Sequence, residues 1–217
     1  WVAHLSPERP EQVRFGACGG GGTAARQQPP LTLQVPLEGR TLRVELAGEL
    51  RPQSGGSLFL EDGAPPTASG LAGLRRKALA AYLDHLVLAA AEPGHGGHAA
   101  RFVFAEAKKG GRELRYAFRP LAPGEAEARL AAWVRELLEG DHAVLMPIEA
   151  VLELGEDLDP EALRAWVDRQ EGRGFSTLRG PVPAPLRHAP PPDPLALARA
   201  RYGDFLDQVA GEPEEVR

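Results

Sequence analysis

The chain has 217 residues, of which 43% are hydrophobic and 25% charged, and its formal net charge is -5 at pH 7. This length fits one large domain, or one domain with an appendage, and allows a sizeable buried core. The composition is that of a soluble globular protein rather than a disordered chain. The net negative charge argues against a stand-alone nucleic-acid-binding protein, which normally carries a positive field, but it leaves contact through a local basic patch open.

Neither a membrane segment nor a disulfide is expected. The longest apolar run, residues 86–91, is far shorter than the about 20 residues that cross a bilayer, and the first residues lack the pattern of a signal peptide. The single cysteine, Cys18, lies in a glycine run that cannot hold a nucleophile against a base. These features predict a cytoplasmic chain with no membrane partner.

The first 100 residues change from turn-rich sequence to strand and then to helix patterns. Residues 1–30 contain prolines and a glycine run, which predict an irregular lead-in. From Leu31 apolar and polar residues alternate, and the alternation resumes after a turn at Glu38 and Gly39, which indicates a β-hairpin or meander. A third strand is predicted at 57–60. Residues 69–92 have helical spacing and are apolar on nearly every side towards the end, so we expect this helix to be buried.

The second half of the chain predicts a hairpin, three helices and a proline-rich strap. The hairpin turns at residues 108–111, and helices are expected over 123–139, from Asp159 onwards, and over 195–209. Dense prolines between residues 172 and 194 favour an extended strap. The expected organisation is a lead-in (1–30), a main domain (31–171), the strap (172–194), and a C-terminal helix and tail (195–217).

The order of elements predicts an α/β (α+β) fold class. Three strands before a long buried helix is the core order of the PD-(D/E)XK restriction-endonuclease-like fold, a mixed sheet flanked by helices. The run from Leu46 to Leu60, with its Gly55-Gly56 step, and the helix core Tyr82-Leu83-Asp84-His85-Leu86 resemble the carboxy-terminal nuclease-like domain of the RecC family. This family provides the gamma subunit of exodeoxyribonuclease V, and the ordered resemblance covers about residues 40 to 152.

The resemblance implies a degenerate nuclease site. An active member needs an acid at the end of one strand and an acid-x-lysine set on the next, because carboxylates hold a divalent ion and lysine helps position the attacking water. The resemblance places Arg51 at the first acid position, Glu61 at the second, and Gly63 where the lysine belongs. A cation at the first position repels a metal ion. We therefore expect no catalytic residue, metal or cofactor.

The function implied by the resemblance is that of a non-catalytic domain in a RecBCD-type helicase-nuclease. Such a domain acts in subunit assembly and in guiding DNA strands during double-strand-break repair by homologous recombination. Its expected partners are RecB-like and RecD-like subunits, with DNA reached through the complex. The isolated domain is expected to be a monomer, because the sequence has no heptad seam for self-association.

Two basic clusters are possible DNA contacts, because exposed cations attract phosphate whatever the base sequence. They are the helical triplet Arg75, Arg76 and Lys77, and the hairpin tip Lys108 and Lys109. Such clusters are more often a solvated helix face and a solvated hairpin tip than DNA contacts.

Three histidines are candidates for metal ligands or for a catalytic base, but their surroundings favour neither role. His95 and His98 are separated by two glycines and have no carboxylate or cysteine nearby to complete a ligand set. His85 falls on the buried helix, where a hydrogen-bonded structural side chain is expected.

Two other functions stay open. One is an active magnesium-dependent nuclease that uses Glu49 or Glu61 with a displaced lysine or arginine. The other is a protein-interaction module without a DNA role, which the acidic charge and the proline strap would suit. A strongly salt-dependent affinity for DNA would argue against the interaction module.

Overall fold

The structure, a computed structural model, describes residues 10–16, 25–67, 70–92, 94, 96–106, 110–122, 124–139, 146–172 and 190–216. It is a mixed fold of strands and helices, which confirms the α+β class. The chain divides into two compact units, one made of Trp1–Arg135 with Gln208–Arg217 and the other of Glu136–Asp207.

In chain order the strands and α-helices of the described residues are β1 (Gln12–Phe15), β2 (Ala25–Gln28), β3 (Leu31–Leu37), β4 (Arg40–Leu46), β5 (Gly48–Glu49), β6 (Ser57–Asp62), α1 (Leu71–Ala91), β7 (His98–Glu106), β8 (Gly110–Phe118), α2 (Glu125–Glu139), α3 (Ile148–Leu154), α4 (Pro160–Gly172), α5 (Pro194–Val209) and β9 (Glu214–Val216). A short 3-10 helix, Gly155–Asp157, follows α3.

The predicted irregular lead-in contains two strands. β1 runs parallel to β2 and antiparallel to β5, so these three strands form a small sheet. Val13 and Phe15 are buried, and they alternate with half-buried Gln12 and Arg14. The prediction for residues 1–30 was wrong here, because a four-residue alternation between prolines and a glycine run is too short to stand out.

The hairpin predicted after Leu31 is confirmed, but it forms a sheet of its own. β3 and β4 pair antiparallel along their whole length. Their two-residue turn has φ +47° at Glu38 and +77° at Gly39, the positive pair of a type I′ turn. On β3, Leu31, Leu33 and Val35 are buried while the residues between them are exposed. Within the described residues β4 has no pairing to β5 or β6, so of the two predicted alternatives, a hairpin or a meander, the hairpin is formed.

The main sheet of the first unit has the order β6-β7-β8-β9. β6 and β7 are parallel and joined by α1, whereas β7 and β8 form the predicted antiparallel hairpin. α1 packs against β7, β8 and β3. Its buried residues lie on several sides, which explains why its apolar pattern is not confined to one face.

The described residues of the second unit are mainly helical. α4 and α5 begin in the same way: Asp159 accepts a hydrogen bond from the backbone N–H of Ala162 over 2.7 Å, and Asp193 accepts one from Ala196 over 2.9 Å. A proline follows each aspartate at the first helical position. α3 was missed from the sequence because it has only seven residues. Most of the predicted strap, residues 173–189, lies outside the described residues, and no described helix is long and apolar enough to cross a membrane.

Candidate functional site

The face between β6 and α1 contains a few of the polar side chains that the sequence singled out, together with Ser57 and Asp84. Ser57 and Glu61 lie four residues apart on β6, about 13 Å along a strand. Lys77 and Asp84 lie seven residues apart on α1, about 10 Å along one face of a helix. The matched spacings place two polar pairs across this face, Ser57 with Asp84 and Glu61 with Lys77.

Ser57 is the centre of a buried polar cluster, which also contains Arg51, Gln53, Asp84 and His98. The Ser57 hydroxyl donates to Oδ2 of Asp84 over 2.7 Å. Nε2 of His98 lies 2.9 Å from the same hydroxyl oxygen, and Nε2 of Gln53 lies 3.4 Å from it. A hydroxyl has one hydrogen to donate. Since that hydrogen goes to the carboxylate, Nε2 of His98 must carry a proton and donate it to Ser57.

A glycine allows the strand carrying Ser57 to approach β7 closely. Gly56 has φ +152°, and a Cβ added there would lie 2.4 Å from the carbonyl oxygen of Ala99. Any larger residue would push β6 away from β7 at this point. Gly56 therefore helps to bring Ser57 within hydrogen-bond distance of His98.

Arg51 closes the buried polar cluster on the side nearest to solvent. Its side chain is 40% exposed, and Nη1 lies 3.5 Å from Oδ2 of Asp84. The same nitrogen donates to the carbonyl oxygen of Ala80 over 3.3 Å, and the guanidinium lies 5.5 Å from the centre of the Phe59 ring. The position that the resemblance assigns to a metal-binding acid is thus occupied by a cation bound to α1.

Asp84 is 95% buried, and this burial raises the pKa of its carboxyl. The Ser57 hydrogen bond and the Arg51 charge act in the opposite direction. The sequence contains one signal of this cluster: an aspartate within a helix segment whose neighbours are buried apolar residues. Such a residue needs a buried partner.

Ser57, His98 and Asp84 are the residue types of a nucleophilic triad, but their arrangement is different. In a triad the imidazole lies between the hydroxyl and the carboxylate, so that it can take the hydroxyl proton. Here the hydroxyl lies between the other two and gives its proton to Asp84. Ser57 has no exposed surface, and His98 is 4% exposed. The cluster therefore joins β6, α1 and β7 and is closed to a substrate.

His85 has a structural role, as the sequence predicted. It is fully buried, and Nε2 lies 3.0 Å from the carbonyl oxygen of Arg119, which can only accept a hydrogen bond. Its ring stacks on His98 and on Phe118, each at 5.8 Å between ring centres. His95, for which the sequence argues against a metal-ligand role, lies outside the described residues.

Glu61 and Lys77 form a second polar contact near the other end of β6. Nζ of Lys77 lies 2.5 Å and 2.6 Å from the two carboxylate oxygens, and the side chains are 20% and 39% exposed. The sequence placed no lysine beside Glu61, because Gly63 stands at the expected position. Gly63 indeed lies in an open turn, but the three-dimensional arrangement supplies a lysine from α1 instead.

Two of the predicted DNA contacts, Arg75 and Lys77, have partners within the described residues. Lys77 is bound to Glu61, and Arg75 donates to the backbone oxygens of Ala210 at 2.8 Å and Gly211 at 3.3 Å. Arg76 is half-buried. Lys108 and Lys109 lie outside the described residues. The triplet on α1 is therefore not a freely exposed basic surface.

The described donor side chains do not make a metal site. Among the described residues no group of three or more histidine, cysteine, aspartate or glutamate side chains could hold a metal ion. Glu49, an acid considered from the sequence, is paired with Arg14 at 3.0 Å. Comparisons of the chain with protein-family models, with curated proteins and with solved structures found no match.

Proposed function

We propose that this chain is a non-catalytic nuclease-like domain of the gamma subunit of a RecBCD-type helicase-nuclease. It would act in subunit assembly and in guiding DNA strands during double-strand-break repair by homologous recombination. RecB-like and RecD-like subunits would be its partners, and DNA would be reached through the complex. The helix α1 joins the parallel strands β6 and β7, and this arrangement is compatible with part of a nuclease-like core.

The observation that carries the proposal is the placement of Arg51. Its guanidinium lies against Asp84 and the Ala80 carbonyl, so the positive charge is built into the packing of α1. A divalent ion needs several oxygen ligands in reach of one point, and a fixed cation opposes its binding. The carboxylate of Asp84 is then part of a structural cluster and does not bind a metal ion.

The remaining polar contacts suit a scaffold rather than a reaction centre. The Ser57 hydroxyl makes its full set of hydrogen bonds inside the protein, and Glu61 is neutralised by Lys77. A satisfied buried polar network holds its elements in one arrangement, which a subunit-binding domain requires.

The metal-site part of the proposal is tested by restoring the expected residues. The variant carrying Arg51→Asp and Gly63→Lys should bind Mn²⁺ in a calorimetric titration, whereas the unmodified chain should not. Arg43→Asp combined with Gly63→Lys is a matched control, because Arg43 is 67% exposed on β4 and this double variant changes the net charge by the same amount. If the restored variant bound no more Mn²⁺ than this control, Arg51 would not stand at a former metal position.

The assembly part requires the proposed partners. The chain should co-elute in size-exclusion chromatography with co-expressed beta and alpha subunits of a RecBCD-type enzyme. Separate elution of a folded chain, as judged by circular dichroism, would contradict the proposal.

A second candidate, an active magnesium-dependent nuclease with a displaced lysine, is favoured by the contact between Lys77 and Glu61. The described donors do not fit a divalent ion well, because Asp62 follows Glu61 directly and so points to the opposite face of β6. Magnesium-dependent cutting of single-stranded DNA by the unmodified chain, lost in Glu61→Gln and retained in Glu45→Gln, would establish this activity and overturn the non-catalytic proposal.

A further inference from the structure

The last described strand covers only a small part of the edge of β8. β9 has three residues, whereas β8 has nine, and the two strands pair antiparallel from Glu113 to Arg115. Every residue of β9 is exposed. The pairing therefore rests on backbone hydrogen bonds and surface charges, with no buried side chain from β9.

These charges are complementary. Residues 211–216, here called the acidic segment, contain Glu212, Glu214 and Glu215. Nη2 of Arg112 on β8 lies 2.8 Å from Oε1 of Glu215, and Arg115 lies directly opposite Glu214 in the pairing register. An acidic strand thus lies along a basic edge.

The faces of the sheet match as well. Arg112 and Arg115 are an odd number of residues apart on β8, so their side chains point to opposite faces. Glu214 and Glu215 are consecutive and also point to opposite faces. An extended peptide with adjacent acidic residues can therefore place one carboxylate beside each arginine while its backbone pairs with β8.

One of these arginines is incompletely satisfied. Nε of Arg115 is buried and has no hydrogen-bond partner among the residues that the structure describes. Arg101, which lies directly opposite Arg115 on β7, is bound to Glu113 through two contacts of 2.7 Å. Glu214 lies opposite Arg115 in the register but accepts no hydrogen bond from this Nε, so Arg115 keeps a donor that a better-placed carboxylate can use.

The contact made by the acidic segment is weak enough to be exchanged. The ion pair of Arg112 and Glu215 is 43% and 45% exposed, and exposed pairs contribute only about 0.2–1 kcal/mol. A short strand at a sheet edge without buried side chains opens more readily than the strands inside the sheet. An edge so opened is a template for another strand.

We propose that the outer edge of β8 is a docking site for an extended acidic peptide of a partner protein, and that the acidic segment occupies this site within the chain. The partner adds a strand to the sheet, its backbone pairing with β8 and adjacent carboxylates reaching Arg112 and Arg115. A single strand of nucleic acid lacks the backbone N–H groups and the alternation of two faces that this edge matches. This inference does not depend on the proposed function.

The test uses a fluorescent synthetic peptide with the sequence of residues 211–216 as the probe. In the variant Glu214→Lys with Glu215→Lys, the acidic segment is repelled by Arg112 and Arg115, so the edge is open. Fluorescence anisotropy should show the peptide binding about tenfold more tightly to this variant than to the unmodified chain, where the attached segment competes at a high effective concentration. High salt should weaken this binding.

Two controls separate strand addition from simple charge attraction. Adding Arg112→Glu and Arg115→Glu to the open variant should abolish binding of the acidic peptide. The lysines introduced at positions 214 and 215 can then pair with the new glutamates and close the edge again. A probe peptide N-methylated at its three strand positions keeps its charges but cannot donate backbone hydrogen bonds, and it should not bind. Circular dichroism establishes that each variant is folded.

Three outcomes would overturn the proposal: equal binding of the probe by the open and unmodified chains, undiminished binding of the N-methylated peptide, or binding of a single-stranded oligonucleotide in place of the peptide. In the last case the edge would be a phosphate-binding surface.

Discussion

The hydroxyl of Ser57 and the carboxylate of Asp84, 27 residues apart in the chain, meet inside the first unit at 2.7 Å. The contact joins β6 to α1, and His98 extends it to β7. Each of these side chains is at least 95% buried, so each depends on the others for hydrogen bonds that water cannot supply. The stability of the first unit should therefore respond strongly to single changes in this cluster.

Asp84→Ala is expected to destabilise the protein by about 2–3 kcal/mol, because it leaves Ser57 and Arg51 without their acceptor. Asp84→Asn keeps an acceptor oxygen and should cost less than about 1.5 kcal/mol at pH 7. Urea unfolding of both variants measures the difference. Equal losses would show that the charge of Asp84, and not its hydrogen bond, holds the cluster.

The stability that Asp84→Asn costs relative to the wild type should become smaller as the pH rises. Burial raises the folded-state pKa of Asp84 above its ordinary value of 3.8. A raised pKa means that the folded state favours the neutral acid, so the linked stability is fully present below pH 3.8 and is lost as the pH rises through the folded-state pKa. Asparagine stays neutral. The stability of the wild type relative to Asp84→Asn should therefore fall from pH 4 to pH 7, and a rise would contradict the assignment.

The hydrogen bonds of His98 and His85 predict the position of their protons. Each Nε2 atom donates, to the Ser57 hydroxyl and to the Arg119 carbonyl respectively, so in the neutral form both rings carry the proton on Nε2. Long-range ¹⁵N–¹H correlation spectra distinguish the two tautomers. A proton on Nδ1 alone of His98 would reverse the direction of the hydrogen-bond chain.

Gly56→Ala should cost more stability than Gly63→Ala. Both glycines have positive φ, +152° and +88°, so both substitutions add backbone strain of order 1–3 kcal/mol. Only at Gly56 would the new Cβ also meet backbone, 2.4 Å from the Ala99 carbonyl oxygen, whereas nothing lies within 4 Å at Gly63. Thermal unfolding of the two variants isolates the effect of close packing, and equal midpoints would argue against it.

The sequence predicted the elements better than their arrangement. Apolar periodicity was enough to find α1, α2 and the hairpin of β7 and β8, because these are long, regular segments. It missed β1 and β9, which have four and three residues, and it could not assign β3 and β4 to a separate sheet. Strand pairing between distant segments depends on tertiary packing, which local patterns do not contain.

The same limit applies to the candidate site. Spacing along the chain identifies the degenerate positions Arg51, Glu61 and Gly63. The partner of Glu61, however, comes from α1, which is distant from Glu61 in the sequence. Recognising Lys77 required knowing which face of the helix meets β6. The spacing of Lys77 and Asp84, two helical turns apart, contained this information once Ser57 and Glu61 were known to lie on one face of the strand.

The pair of Glu61 and Lys77 should contribute little to stability. The size of this contribution distinguishes an ordinary surface ion pair from a strained contact in a functional site. Both side chains are partly exposed, so solvent screens their attraction. In a double-mutant cycle with Glu61→Gln and Lys77→Met, we expect a coupling of about 0.5–1 kcal/mol that falls as salt is added. The cycle with Arg43 and Glu45, a pair at 2.9 Å and more exposed on β4, is the matched control and should give less.

A different result would change the reading of this site. If replacing either Glu61 or Lys77 raised the free energy of unfolding, the pair would be destabilising in the folded protein. Destabilising residues are typical of sites where activity is retained at the expense of stability. That outcome, together with magnesium-dependent cutting, would favour the nuclease over the scaffold. A small, salt-sensitive coupling between Glu61 and Lys77, in a protein that does not cut DNA, agrees with a contact that holds the end of β6 against α1. The coupling energy would then be the one expected for a partly exposed ion pair at this distance.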